Sequence, residues 1–299
     1  MTPSPFRPVA AGFSFLEGPR WHDGRLWLSD FYTHQVFTVG DDGRTQVIAT
    51  VPQQPSGLGW LPDGRLLICS MRDRRVMRLE PDGRLVVHAD LSHIAGGHVN
   101  DMVVDAQGRA YVGNFGLDMR SDAPMTLARL ALVQPDGQAS VAAEGLYFPN
   151  GSMVTPDGRT LIVCETFGNR ISAFDIQPGG GLGPRRDWAV FGPVPQAADV
   201  RGATAALVVA PDGAVLDAEG AVWFADALGR RVVRVAEGGR ILQELPTGPM
   251  GAFACTLGGP GRRTLYVCVA PDSMEHKRTP AREAVLWATD VAVPGAGCP

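Results

Sequence analysis

One unit returns along the whole chain, and it limits the fold more than any other feature. It opens as "PRWHDGRLWLSDFYTHQVFTVGDDGRTQVI" and repeats as "LGWLPDGRLLICSMRDRRVMRLEPDGRLVVHA". A third copy begins "MVVDAQGRAYVGNF", a fourth reads "SMVTPDGRTLIVCETFGNRISAFDI", and a fifth reads "AVLDAEGAVWFADALGRRVVRVAEGGRILQEL". A sixth starts at "AFACTLGGPGRRTLYVCVAP", and "AVLWATDVAV" completes it. The turn glycines Gly24, Gly64, Gly108, Gly158 and Gly220 are spaced by 40, 44, 50 and 62 residues. Each copy has β-branched, aromatic and apolar runs on either side of a "DG" or "GR" turn, where glycine tolerates positive φ. That is strand, tight turn, strand. Short-strand repeats of about 40–50 residues predict propeller blades. The expectation is an all-β, six-bladed β-propeller, one domain over 1–299. A β-sandwich competes structurally but does not predict a repeated unit. The first strand unit and "AVLWATDVAV" are expected to share the last blade and so close the ring.

The formal net charge is -4, which argues against a nucleic-acid partner. No apolar run reaches the length of a membrane span, and the N-terminus lacks the pattern of a secretory signal. A cytoplasmic location is expected. Of the five cysteines, Cys69, Cys164, Cys255 and Cys268 lie in apolar strand-like runs, and Cys298 lies near the end. The odd number argues against a closed disulfide framework, so buried free thiols are expected. No other nucleophile stands out: Ser29 has no "GxSxG" elbow around it. Insertions such as "GLDMRSDAPMTLARL" and "DSMEHKRTPAREA" read as loops, and the charged "MEHKRTP" is expected to face solvent. "GGGLGP" lacks the lysine and hydroxyl of a phosphate loop. Oligomeric state is not readable.

Aligning the copies on their turn glycines brings polar residues into one phase. Glu17 lies seven residues before Gly24; Ser56, Asn100, Asn150 and Asp212 lie eight before their own glycines. In a propeller that phase is the start of the innermost strand, which lines the central channel. Two carboxylates with amide oxygens make a hard, all-oxygen donor set suited to a divalent cation. Ordinary turn chemistry is the alternative, because "PNG" and "PDG" are common turn sequences.

Four segments carry a family resemblance: "EGPRWHDGRLWLSD", "HVNDMVVDAQGRAYVGNFG", "YFPNGSMVTPDGRTLIVCET" and "PDGAVLDAEGAVWFAD". In this order they resemble the gluconolactonase, regucalcin and luciferin-regenerating-enzyme family of six-bladed propellers. The resemblance implies hydrolysis of a cyclic ester, a small-molecule substrate and one divalent ion. It implies Glu17, Asn150 and Asp212 as metal ligands, with calcium foremost and magnesium, manganese or zinc as other choices. It also places Asn100 beside metal and substrate. Asp212 is then the candidate general base. Asp101 is read as a turn or inter-strand hydrogen-bonding group. His98 departs from the arginine of sugar-lactone members, which weakens an assignment to gluconolactone itself; it serves as a substrate contact or holds a loop. Other metal-assisted chemistry, as in organophosphate hydrolases, and a non-catalytic calcium- or ligand-binding propeller are the alternatives. Phe31, Trp60, Phe115, Tyr147 and Phe167 read first as blade core. If several reach the mouth, they favour a more apolar lactone.

Overall fold

The computed structural model describes residues 5–40, 42–117, 119 and 124–297. Its strands, numbered β1 to β24 along the chain, form six four-stranded antiparallel sheets. This is a six-bladed β-propeller. The turn glycines Gly24, Gly64, Gly108, Gly158 and Gly220 all have φ between 70° and 84°, the left-handed geometry the repeat demanded.

Five blades are continuous in sequence. Their innermost strands are β2 (Leu16–His22), β6 (Pro55–Trp60), β10 (Val99–Val104), β14 (Pro149–Val154) and β18 (Pro211–Leu216). The sixth is composite. Its inner strand β22 (Gly251–Gly258) pairs with β23 (Thr264–Ala270), which pairs with β24 (Ala284–Asp290). The N-terminal β1 (Arg7–Phe13) then adds to β24 as the outer strand. The two ends of the chain therefore share one blade, as the sequence predicted.

Each interface between neighbouring blades has its own apolar cluster. Leu67 and Val76 of the second blade meet Val112 and Val133 of the third. Ile162 and Ile171 of the fourth meet Phe224 and Val233 of the fifth. Trp223 and Val232 of the fifth meet Leu265 and Val267 of the sixth. A blade strand is thus covered on both faces, which is why "TLIVCE" is apolar without clean alternation. Cys69, Cys164, Cys255 and Cys268 are buried and free, and burial pushes each thiol up. Cys298 lies outside the described residues.

The inner strands converge closely on the channel axis. A Cβ on Gly57 would sit 2.5 Å from the Met102 amide nitrogen, and one on Gly151 would sit 2.4 Å from the Asp212 carbonyl oxygen. Both positions need glycine because neighbouring backbones touch there. The insertions differ from expectation. They contain two short helices, α1 (Val200–Ala205) and α2 (Glu275–Ala281), where loops were predicted. No described helix is long and apolar enough to cross a membrane.

Candidate functional site

The second position of the inner strand carries Glu17, Ser56, Asn100, Asn150 and Asp212 in the five continuous blades, and in β22 the third position, Phe253, borders the same cavity. Each inner strand shows a register shift against its neighbour at this point, for example between Glu17 and Arg20 and between Pro211 and Ala214. A bulge breaks the pleat and re-aims a side chain. The five polar residues are buried. Glu17, Asn100, Asn150 and Asp212 line a single cavity of about 1200 Å³.

Backbone anchors fix the strand entries. Asp30 Oδ1 accepts from the Phe15 amide at 3.0 Å. Glu165 Oε2 accepts from the Tyr147 amide at 2.8 Å, and Asp226 Oδ1 from the Ala210 amide at 3.1 Å. These carboxylates end the second strands of their blades and are fully buried or nearly so. Glu165 is itself held by Arg170 Nε at 2.7 Å, and Asp226 by Arg231 Nε at 2.9 Å. The site residues follow two or three positions after each anchored amide.

Within the site, Asn150 Nδ2 donates to Asp212 Oδ1 at 2.5 Å and to Thr166 Oγ1 at 3.1 Å. Thr166 Oγ1 donates on to the Pro211 carbonyl at 2.9 Å. Ser56 Oγ donates to Asn100 Oδ1 at 3.2 Å, leaving the Asn100 amide nitrogen as its donor for a ligand. Burial pushes the Glu17 carboxyl well above its usual range, and the nearby charges of Asp212 and Asp101 push it further. Burial raises Asp212 in the same way, helped by Asp101 and opposed by the Asn150 hydrogen bond.

Asp101 is an inter-strand group, and its partner lies across the channel. Arg20 Nη2 donates to Asp101 Oδ1 and to the Met102 carbonyl, both at 2.6 Å. Gly57 lies between, and its missing side chain makes room for this pair. His98 lines the cavity with its ring 5.7 Å from that of Phe115. Phe31, Phe115 and Phe167 also reach the cavity. Trp60 does not: it stacks on His22 away from the mouth. Tyr147 lies under the Arg170 guanidinium. The "MEHKRTP" segment corrects a prediction. Instead of only facing solvent, α2 brings Met274, His276 and Thr279 to the rim and buries Arg278.

Among the described residues, no three His, Cys, Asp or Glu side chains are placed to hold a metal ion by themselves. A metal site here therefore needs amide oxygens beside Glu17 and Asp212. The donors suit a hard cation: two buried carboxylates, each raised first by burial and then by neighbouring negative charge, next to the Asn150 side chain.

The SMP-30/gluconolactonase/LRE-like region matches residues 15–271. The chain belongs to that family. Regucalcin from Danio rerio is 29% identical over 178 residues, covering 59% of this chain and 55% of that protein. The 6-deoxy-6-sulfogluconolactonase of Pseudomonas putida is 26% identical over 202 residues, covering 67% of this chain and 64% of that protein. The chain thus spans less than two thirds of the length of these curated relatives. A calcium-binding protein, regucalcin, from Agrobacterium tumefaciens superposes with a TM-score of 0.76 at 20% identity, covering 98% of this chain and 94% of that one. That likeness shows the propeller fold shared across the family.

The raised carboxylates give a testable pH dependence for the metal-free protein. A carboxyl whose folded pKa is raised holds its proton more tightly folded than unfolded. Its contribution is most favourable below the unfolded pKa and is lost as pH rises toward the folded value. Asp212→Asn removes that liability but keeps an acceptor for Asn150. In chelated protein we expect Asp212→Asn to raise Tm by several degrees at pH 8, at roughly 2–4 °C per kcal/mol for a chain of this size or somewhat smaller. The gain should shrink at pH 5. An equal Tm at both pH values would show that Asp212 carries no buried charge.

Proposed function

We propose that this protein is a metal-dependent hydrolase that opens a small lactone with water. The observation that carries the proposal is the pair of buried carboxylates, Glu17 and Asp212, set with Asn100 and Asn150 on the floor of one cavity. Membership of the family and the lactonase name of the Pseudomonas putida relative support it. Glu17, Asn150 and Asp212 would hold one divalent ion through oxygen, with calcium the favoured metal. When bound, such an ion supplies Lewis acidity to a carbonyl oxygen and lowers the pKa of a neighbouring water.

The chain's own groups then divide the work. Asn100 donates from its amide nitrogen to the lactone and orients the ester, with Ser56 holding its other end. Asp212 takes a proton from the attacking water as that oxygen bonds to the ester carbon. Asn150 steadies Asp212 by its hydrogen bond, and Thr166 steadies Asn150. The ring carbon–oxygen bond then breaks. The leaving alkoxide recovers the proton from Asp212, giving a hydroxy acid. His98 stands at the cavity wall as a substrate contact.

The test is pH-stat hydrolysis of a lactone panel by protein stripped with chelator. Calcium, magnesium, manganese or zinc is then added back. The expected result is turnover that vanishes on chelation and returns with at least one ion, calcium foremost. Binding of the ions without hydrolysis of any lactone would overturn the proposal in favour of a binding role.

A further inference from the structure

The walls above the carboxylates are built differently from the floor. Phe253 and Phe15 pack with ring centroids 4.7 Å apart, and Phe15 and Phe31 with centroids 5.3 Å apart. These rings belong to the sixth and first blades. Phe115 and Phe148 pack at 4.5 Å, and Phe148 and Phe167 at 5.7 Å. Those belong to the third and fourth blades. In a six-membered ring, blades three and four lie opposite blades six and one. Two phenyl walls therefore face each other across the mouth, and all six rings border the cavity.

Two further observations point to a ligand for these walls. The first is Phe148, whose φ is 56°. Gln54 has the same left-handed geometry (φ 75°) before the inner strand of the second blade, so the fold sets the backbone there and aims the Phe148 ring into the wall. Phe148 sits two residues before Asn150 and joins the wall on both sides. The second is size. About 1200 Å³ exceeds the roughly 300–1,000 Å³ of clefts that take drug-sized ligands, and far exceeds a sugar lactone. Two arginines of the mouth are already partly engaged. Arg72 is bound to Gln54 and Glu275, each at 2.7 Å, and Arg74 Nη1 donates to the Ala95 carbonyl at 3.3 Å. A polyhydroxylated ring placed between the phenyl walls would turn most of its hydroxyls to apolar faces, with polar side chains such as His98, His276 and Thr279 only at the cavity wall and rim, and a hydroxyl buried without a partner is costly.

The geometry points to a bulky apolar substrate: a lactone bearing an aryl or long alkyl group, its ester on the polar floor and its substituent between the two phenylalanine walls. This deepens the lactonase proposal and rests on it. Aromatic substituents gain by stacking on the rings. Alkyl substituents gain by burial, worth about a fourfold rise in binding for each methylene enclosed.

The experiment compares kcat/KM for δ-gluconolactone, γ-butyrolactone, γ-lactones of increasing alkyl length, and dihydrocoumarin. Dihydrocoumarin and the long-chain lactones are expected to exceed gluconolactone by about 100-fold, with values rising along the alkyl series. Phe148→Asn keeps a residue that tolerates the left-handed backbone and removes the ring. It is expected to lower kcat/KM for dihydrocoumarin about tenfold more than for γ-butyrolactone. Gluconolactone as the best substrate, or an alkyl series without slope, would overturn the inference and leave the lactonase proposal standing. If no lactone is opened, the lactonase proposal fails. Binding of the dihydrocoumarin lactam, followed by calorimetry, then judges the walls alone. Binding weakened by Phe148→Asn would uphold an aromatic ligand, and no binding would overturn it.

Discussion

Asp212→Ala is expected to abolish lactone hydrolysis while leaving the propeller folded. Asp212 has three duties in the proposed reaction: it binds the cation, receives the water proton and accepts the Asn150 hydrogen bond. Loss of a general base alone costs about 100- to 10,000-fold. Loss of a ligand adds weaker ion binding, so kcat/KM at fixed metal should fall by at least about 1,000-fold. The fold should survive because Asp212 makes no blade-to-blade apolar contact and is raised in pKa by its burial. Removing a charge that burial disfavours does not weaken the metal-free state. Asp212→Asn separates the duties: it keeps the shape and an acceptor, and removes the negative charge. Saturating that variant with metal should restore the ion and not the rate. Turnover within tenfold of wild type in either variant would remove Asp212 from the mechanism.

Much of this site was legible before any coordinates. The turn glycines fixed the phase of each repeat, and phase placed Glu17, Asn100, Asn150 and Asp212 at one height. The sixth position of that ring, Phe253, was not legible. Its strand is followed by "GGPGRR" rather than the usual "DG" turn, and a short 3₁₀ segment at Pro260–Arg262 replaces the hairpin. Phe253 does lie eight residues before Gly261, whose φ is 64°, but Gly258 and Gly259 alongside it hide which glycine carries the phase. The Arg20–Asp101 pair was missed for another reason. Its members are 81 residues apart and meet only because the channel brings blades one and three together past Gly57. Thr166 and the anchoring carboxylates left a fainter trace. Asp30, Glu165 and Asp226 recur at the ends of second strands in "LWLSD", "LIVCE" and "VWFAD". The same alignment applied six or seven residues beyond the turn glycines finds them. The helix at Glu275–Ala281 had no amphipathic period long enough to be seen. It holds its place through tertiary contacts, with Arg72 on Glu275 and the Tyr32 hydroxyl on the Ser273 carbonyl. Propensity alone does not specify so short a helix.

Deleting the last 15 residues is expected to prevent folding altogether, a larger effect than any point substitution in the cavity. The cut falls after Ala284 and removes nearly all of β24. That strand is the only partner of β1 and one of two partners of β23. Leu286 and Ala288 are fully buried in it, and enclosing one leucine is worth about 1.5–3 kcal/mol. Trp287 stacks on Phe6 at 5.6 Å, so the N-terminal strand loses its apolar seat as well. The segment beyond β24 is also laced into the fifth blade: Ala218 donates to the Pro294 carbonyl at 2.8 Å, and Ala296 to the Leu216 carbonyl at 3.0 Å. A net stability of about 5–15 kcal/mol does not survive the loss of two ladders and a blade interface. The open β23 edge would also invite aggregation. Graded deletions make the argument specific. Removing residues 1–13 takes β1, an outer strand that is largely exposed or half-buried, together with the Phe6 ring on Trp287, so folded protein with a lowered Tm should remain. Removing residues 292–299 spares β24 and should cost least. Soluble yield and Tm should therefore be highest without residues 292–299, lower without residues 1–13 and lowest without residues 285–299. A soluble, cooperatively melting protein lacking residues 285–299 would show that the ring closes without the strand shared between the chain's two ends.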